Sequence, residues 1–405
     1  MVFTVSFVSR SIESHGSFIR RACGALGFAG VLVAGPSACK PKATRPAPTA
    51  ELDLKAAARQ LSADLAQQIG TSGGAKTVVI DPLIDRATGQ QTGASSRFQE
   101  EMGPALTTAI KGLSILPFDA DGATKARYVL AGTVSSVAPP DRFAISASLT
   151  DRPTGLVVAQ SAARFVQAGL DAAPTKFYND SPSLVRDRSV DGYVRTAETK
   201  AGSPADALYV SQVPTAALLA DALVAYNAER WEEALKGYTA AAARPDGQQL
   251  RTFNGIYLSN IRLNRMDAAA DAFGKIAALG LATNNLAVKL LFKPNSATEF
   301  WPGRDLGGVY PMWLRQISKA VQSTGGCLDV TGHTSRSGSE ALNDKLSLAR
   351  AETVKRMMVG ELAAVGAQLQ VAGVGYRQNI VGTGADNASD AVDRRVEFKV
   401  VECKR

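Results

Sequence analysis

The chain has 405 residues, 45% of them hydrophobic, with 45 Lys and Arg against 37 Asp and Glu, for a net charge of +8. That length calls for about two or three domains, and the apolar share is enough to build real cores, which excludes a disordered or fibrous chain. The basic residues are scattered, with no dense run beside aromatics, so the charge describes a solvated, mildly basic surface rather than a nucleic-acid interface.

Arg20 and Arg21 precede an apolar run over residues 22–35, too short to span a membrane comfortably and right for the core of a signal peptide, which we place at residues 1–38. Gly35, Pro36, Ser37 and Ala38 then lead to Cys39, and this run resembles a bacterial lipobox. The resemblance implies lipidation of Cys39 and attachment to the periplasmic face of the outer membrane; plain secretion is the alternative. Residues 39–51, rich in Pro, Ala and Thr, read as an extended tether.

Residues 52–175 read as an α+β domain. Leu and Ala recur at helical spacing over 52–69, and an apolar strand follows at 77–81. A helix capped by Ser95 or Ser96 runs to about Lys111, followed by a strand at 113–118. Three successive strands then follow, broken by Pro139-Pro140 and by Pro153-Thr154-Gly155. The expected product is a sheet with helices on one face. The run Tyr128–Thr133 and the later DRPTGLVVA are similar to the periplasmic domain shared by penicillin-binding-protein activator lipoproteins and flagellar and curli outer-membrane lipoproteins. Residues 176–212, rich in Asp, Ser, Pro and Thr, read as a linker.

Residues 213–284 turn to Ala-rich helices. Trp231, Ala234 and Tyr238 recur 35 residues later as Met266, Ala269 and Phe273, close to the tetratricopeptide period of about 34. Two such repeats, or an ordinary helical domain packed on its neighbours, both fit this pattern.

Residues 285–405 read as β-α-β-α-β-β. Cys327–Gly332 is a short strand, HTSRSGS a turn, and Ser339 opens a helix with Glu340 in its first turn. Leu342, Leu346, Ala349 and Thr353 form an apolar stripe expected to pack on the sheet. Asn343, Ser347, Arg350 and Val354 form a neighbouring stripe at the mouth of the turn. Gly332-His333-Thr334-Ser335, Gly338, Asn343, Leu346-Ser347, Arg350-Ala351 and Val354 occur in the order of the OmpA-like peptidoglycan-binding domain. Gly373-Val374-Gly375 and Asp393-Arg394-Arg395-Val396-Glu397 extend the resemblance to two later strands.

The resemblance implies that Thr334, Ser335, Asn343 and Arg350 contact the diaminopimelate of the peptidoglycan stem, with the Arg350 guanidinium open to its carboxylate. Ser335 stands where the family has Asp, which leaves the amine facing a neutral hydroxyl and weakens the grip about five- to tenfold. In this fold the strands that begin at Cys327 and end near Cys403 are antiparallel neighbours, which implies a Cys327–Cys403 disulfide in an oxidising compartment.

No catalytic, metal or cofactor site is expected. His15 falls in the signal peptide, His333 fits a structural strand end, and no Ser-His-Asp set, Cys/His metal spacing or phosphate loop occurs. Glu100-Glu101 belong to a solvated helix face, and the Gly-rich turns at 373–375 and 382–385 open no helix. The fold class is therefore α+β and multidomain. The expected function is non-enzymatic: a lipoprotein linking the outer membrane to peptidoglycan and docking an unknown periplasmic protein partner with its middle domains. A regulatory or assembly lipoprotein with weak wall binding is the alternative.

Overall fold

The structure, a computed structural model, describes residues 51–69, 76–183, 186–302, 308–380, 382–387 and 389–403. The expected signal peptide, Cys39 and nearly all of the tether lie outside them.

In the first sheet, β1 (Lys76–Ile80) lies between β2 (Leu113–Leu116) and β3 (Tyr128–Val137), parallel to both. β4 (Arg142–Asp151) and β5 (Leu156–Val166) continue from β3 as an antiparallel meander, giving the order β2-β1-β3-β4-β5. The parallel β1–β2 pair needs a crossover, which α2 (Gly93–Ala109) supplies, and the short α3 (Ala120–Lys125) joins β2 to β3. That helix starts at a capping box one turn ahead of the expected site. The Thr92 hydroxyl accepts from Ser95 N, and Ser95 Oγ accepts from Thr92 N.

Strand side chains alternate faces. Val78 and Ile80 pack with Leu61, Leu65, Phe98 and Met102 of α1 (Leu54–Ile69) and α2. Val79 and Val129 pack on the opposite face with Tyr193, Val194 and Val213. Helices therefore cover both faces of the sheet rather than one, and the second cover comes from the stretch read as a linker. That stretch holds α4 (Lys176–Asp180), α5 (Arg188–Glu198) and the start of α6 (Ala207–Asn227). In α5 the buried Val190, Tyr193, Val194 and Ala197 fall at i, i+3, i+4 and i+7, a helical face diluted by its polar neighbours. Asp187 caps the helix by accepting from Ser189 N and Val190 N. The Tyr193 hydroxyl locks it to β3, accepting from Gly132 N at 2.8 Å and donating to Gly132 O at 2.9 Å.

Two helical hairpins follow, α6 with α7 (Trp231–Ala242) and α8 (Leu250–Arg262) with α9 (Met266–Ala282). Tyr238 and Phe273 are both fully buried. The Tyr238 ring lies over Gly255, where an added Cβ would come within 2.4 Å of it, so that position admits no side chain. Phe273 stacks on Trp313 of α10 (Tyr310–Thr324) at 5.0 Å between centroids, and Trp313 Nε1 donates to the Tyr257 hydroxyl at 2.8 Å. One apolar core thus runs from Phe177 through the hairpins to Phe398, with no break in packing at residues 284 and 285.

The second sheet has the order β6-β9-β7-β8, built from β6 (Lys289–Leu291), β9 (Arg395–Val401), β7 (Cys327–Gly332) and β8 (Leu369–Gly373). β9 is antiparallel to both neighbours, and α11 (Glu340–Glu361) crosses between the parallel β7 and β8. Cys327 at the start of β7 is disulfide-bonded to Cys403 just beyond β9, with S–S 2.08 Å.

Candidate functional site

The turn from β7 to α11 is set by close backbone approach. A Cβ on Gly332 would fall 1.9 Å from the Ser347 carbonyl oxygen, and one on Gly373 would fall 2.4 Å from Leu348 N. The helix can lie this close to the strand ends only with small residues on both sides. This sets which stripe of α11 faces inward. Asn343, Ser347, Arg350, Ala351 and Val354 are buried, while Leu342 is 66% exposed and Leu346 and Ala349 are half-buried. The expected order of the two stripes is therefore corrected: the Leu stripe is the outer one, with Thr353 alone of its four members buried. Ser347 Oγ completes the contact, accepting from Gly375 N at 3.0 Å and donating to Asp344 O at 2.9 Å.

Thr334, Ser335, Asn343 and Arg350 come together around this turn, and all four are buried. Arg350 is 0% exposed. Its Nε donates to Ser296 O at 2.9 Å, Nη1 to His333 O at 2.8 Å and Nη2 to Lys293 O at 3.0 Å. Its guanidinium also lies 5.3 Å from the Phe292 ring centroid. The open fork expected from the sequence is thus turned inward, because the segment after β6 folds over it. Burial, aided by neighbouring Arg394 and opposed by Asp386, lowers the Arg350 pKa to about 10, so the group stays charged at neutral pH. Asn343 Nδ2 holds the turn through Ser337 O at 2.7 Å and Ser339 O at 3.0 Å. Thr334 contributes its backbone, donating from N to Gly375 O at 2.9 Å and accepting at O from Asn379 Nδ2 at 3.0 Å.

Ser335, 4% exposed, donates from Oγ to an Asp386 carboxylate oxygen, and Ser337 Oγ donates to the other. Arg394, 1% exposed, approaches the same carboxylate at 3.3 Å, donates from Nε to Phe292 O at 3.2 Å and lies 5.0 Å from the Trp301 ring centroid. Burial works against the Asp386 charge, but the two serine hydroxyls and Arg394 outweigh it and hold the carboxyl below its usual range. Asp386 and Arg394 were not among the residues expected here. The signal that could have found them was the missing turn acid itself, with acidic residues available in the polar loop before β9. Behind the turn, His333 Nε2 lies 3.3 Å from Glu397 Oε1. Burial again opposes the charge, but His333 and Arg395 hold the Glu397 carboxyl down at about 2.

The mouth therefore presents one partly exposed carboxylate over two buried guanidinium groups. Such an arrangement offers a ligand one acidic contact, backed by buried positive charge. Among the described residues no cluster of three His, Cys, Asp or Glu could hold a metal ion.

Residues 312–393 match the model of the OmpA family. A search of curated proteins finds no match to this chain. Among solved structures, the chain is similar to the peptidoglycan-associated lipoprotein from Burkholderia pseudomallei, with 23% identity over 28% of this chain and 89% of that one and a TM-score of 0.25. It is similar to the cell wall anchor of the T6SS from Pseudomonas aeruginosa, with 26% identity over 28% and 75% and a TM-score of 0.22. It is also similar to the LpoB C-terminal domain from Salmonella enterica, with 15% identity over 29% and 100% and a TM-score of 0.24. The family match spans α10, the β7–α11 turn, β8 and the loop up to β9, so the C-terminal part of this α+β chain carries an OmpA-like domain.

Proposed function

We propose that the protein is a non-enzymatic cell-envelope lipoprotein that grips peptidoglycan through the β7–α11 mouth and is held to the outer membrane by lipid on Cys39. The observation that carries this reading is the mouth itself: Asp386 beside Ser335 and Ser337, above buried Arg350 and Arg394, within the segment matching the OmpA family. The acidic contact suits the amine of a diaminopimelate end. The first sheet and the helical hairpins, read here as tetratricopeptide-like, would dock a periplasmic protein partner.

A second reading, a regulatory or assembly lipoprotein with weak wall binding, is favoured by one observation. Thr334, Ser335, Asn343 and Arg350 are all buried in hydrogen bonds or packing of the protein's own fold. Co-sedimentation with isolated sacculi separates the two. The first reading expects the purified protein in the pellet; a protein left in the supernatant favours the second. Fatty-acid labelling in cells should mark the wild type and miss Cys39→Ser, and equal labelling of both would remove the anchor from either reading.

A further inference from the structure

The turn of this chain lacks an acid at Ser335, yet the structure places a carboxylate one hydrogen bond away. Asp386 Oδ1 accepts from Ser335 Oγ, and Oδ2 accepts from Ser337 Oγ. The accepting carboxylate comes from the loop ahead of β9, 51 residues away in sequence. That loop is pinned. Asp386 N donates to Asp390 Oδ2 at 2.9 Å, Thr383 N donates to Asp390 Oδ1 at 3.0 Å, and Gly382 N donates to Asp393 Oδ2 at 2.7 Å. Asp390 and Asp393 are both fully buried, so their charge is spent on backbone N–H groups of the loop. Asp386 itself sits at φ 54°, a left-handed conformation that Asp tolerates better than most residues, and surrounding bonds must hold it there.

Of the three carboxylates, Asp386 is the one open to solvent, with 26% of its side chain exposed. An ionised carboxylate has about four acceptor positions. Ser335, Ser337 and Arg394 occupy three, and the Arg394 contact is long at 3.3 Å. Beneath it, Arg350 has spent three of its N–H groups on carbonyls and still carries its charge. Arg350 from α11 and Arg394 ahead of β9 thus lie buried beneath Asp386, whose carboxylate reaches the solvent.

We propose that Asp386 replaces the absent turn acid and takes the ammonium group of the ligand, with buried Arg350 and Arg394 holding its carboxylate charged from below, which makes the mouth a site for the amine of an amino-acid end. Ser335 and Ser337 are then positioning residues that aim the Asp386 carboxylate. The proposal rests on the peptidoglycan reading above and adds to it the residue that recognises the amine.

The test uses the full mature protein and isolated sacculi, either untreated or with their free amines acetylated. Acetylation removes the ammonium group and should weaken wild-type binding about tenfold, the loss expected for one charge-assisted contact. Asp386→Asn should bind untreated sacculi about tenfold more weakly than wild type and respond little to acetylation. Ser335→Asp alone should not tighten binding, since it sets two carboxylates side by side. The exchange Ser335→Asp with Asp386→Ser should restore binding, which a merely structural role of Asp386 would not allow. Thermal melts of each variant separate lost binding from lost folding. Wild-type binding that ignores acetylation, or Asp386→Asn that binds as wild type does, overturns this inference and leaves the peptidoglycan reading standing. Wild type that fails to sediment with untreated sacculi overturns that reading, and this inference with it.

Discussion

Arg350 and Arg251 are both drawn into the protein, and the fold treats them differently. Arg350, under the β7–α11 turn, meets three backbone carbonyls and leaves no nitrogen without a partner. Arg251, half-buried on α8, contacts Tyr178 but has no partner for its Nε. It lines a cavity of about 30 Å³ where the end of β1 meets α5, α6 and α8, together with Asp81, Tyr193, Tyr209, Gln212 and Gln249. Asp81 is 3% exposed and accepts from the Tyr209 hydroxyl at 3.0 Å. Burial pushes its carboxyl up to about 7, against the pull of Arg251 and Tyr209. The Arg350 guanidinium is closed off by its own hydrogen bonds, whereas the pairing around Arg251 is incomplete. A closed network makes its charge part of the scaffold, whereas an open one leaves a proton free to come and go near neutral pH.

The largest expected effect sharpens this contrast by cutting the scaffold of the first region. The Cys327–Cys403 bond closes a span of 76 residues, for which chain entropy gives stabilisation on the order of 4 kcal/mol. Reduction should raise hydrogen exchange in β7 and β9 and leave β1, in the other sheet, unchanged. Equal loosening of both sheets would mean that the bond is not local support for the turn.

Next is a direct comparison of the two arginines. Arg350→Met strands the carbonyls of Lys293, Ser296 and His333 and should cost on the order of 3 kcal/mol or more in urea unfolding at neutral pH. Arg251→Met removes a side chain whose Nε has no partner and should cost about 1 kcal/mol or less. Similar costs would break the distinction drawn here. This also means that Arg350→Ala cannot serve as a clean test of ligand binding, since it damages the fold first.

How much of this was legible in the sequence follows the same divide. The C-terminal strand, turn and helix could be read because alternation, a Ser- and Gly-rich turn and helical spacing fall within one short span, and the resemblance to the OmpA-like pattern tied Gly332, Asn343, Ser347 and Arg350 together. Which stripe of α11 faces the sheet could not be read from hydrophobicity. Backbone approach at Gly332 and Gly373 favours Ser347 over Leu346, so packing distance overrode apolar preference. The helix at 188–198 was legible in principle from Val190, Tyr193, Val194 and Ala197 but was masked by the polar residues between them. The Asp386–Ser335 contact and the Asp81–Arg251 cavity bring together remote segments, and no local pattern announces them.

The last test probes the open network by pH. Folded Asp81 keeps its proton up to about pH 7, while in the unfolded chain it is released near the ordinary value of about 3.9. Between those values the native state binds the extra proton, so stability falls as pH rises, by at most about 1.4 kcal/mol per pH unit, and the fall stops above about 7. Asp81→Asn removes the titration, and its urea midpoint should change less than that of the wild type between about pH 5 and 7. Parallel pH profiles for the two proteins would place the sensitivity elsewhere.

The stack of Phe273 on Trp313, with the Trp313–Tyr257 hydrogen bond beside it, bears on cooperativity. Two helical hairpins alone fall short of the roughly three repeats that a free-standing stack needs, and α10 supplies the missing layer. The hairpins and the second sheet therefore gain or lose their cores together, as one melting unit rather than as beads on a string. A fragment beginning at residue 285 would carry the β7–α11 mouth but lay bare the Trp313 ring and its apolar surroundings, making it prone to self-association. In physical terms, the smallest autonomous piece of this protein that contains the mouth is larger than the segment that the family match marks out.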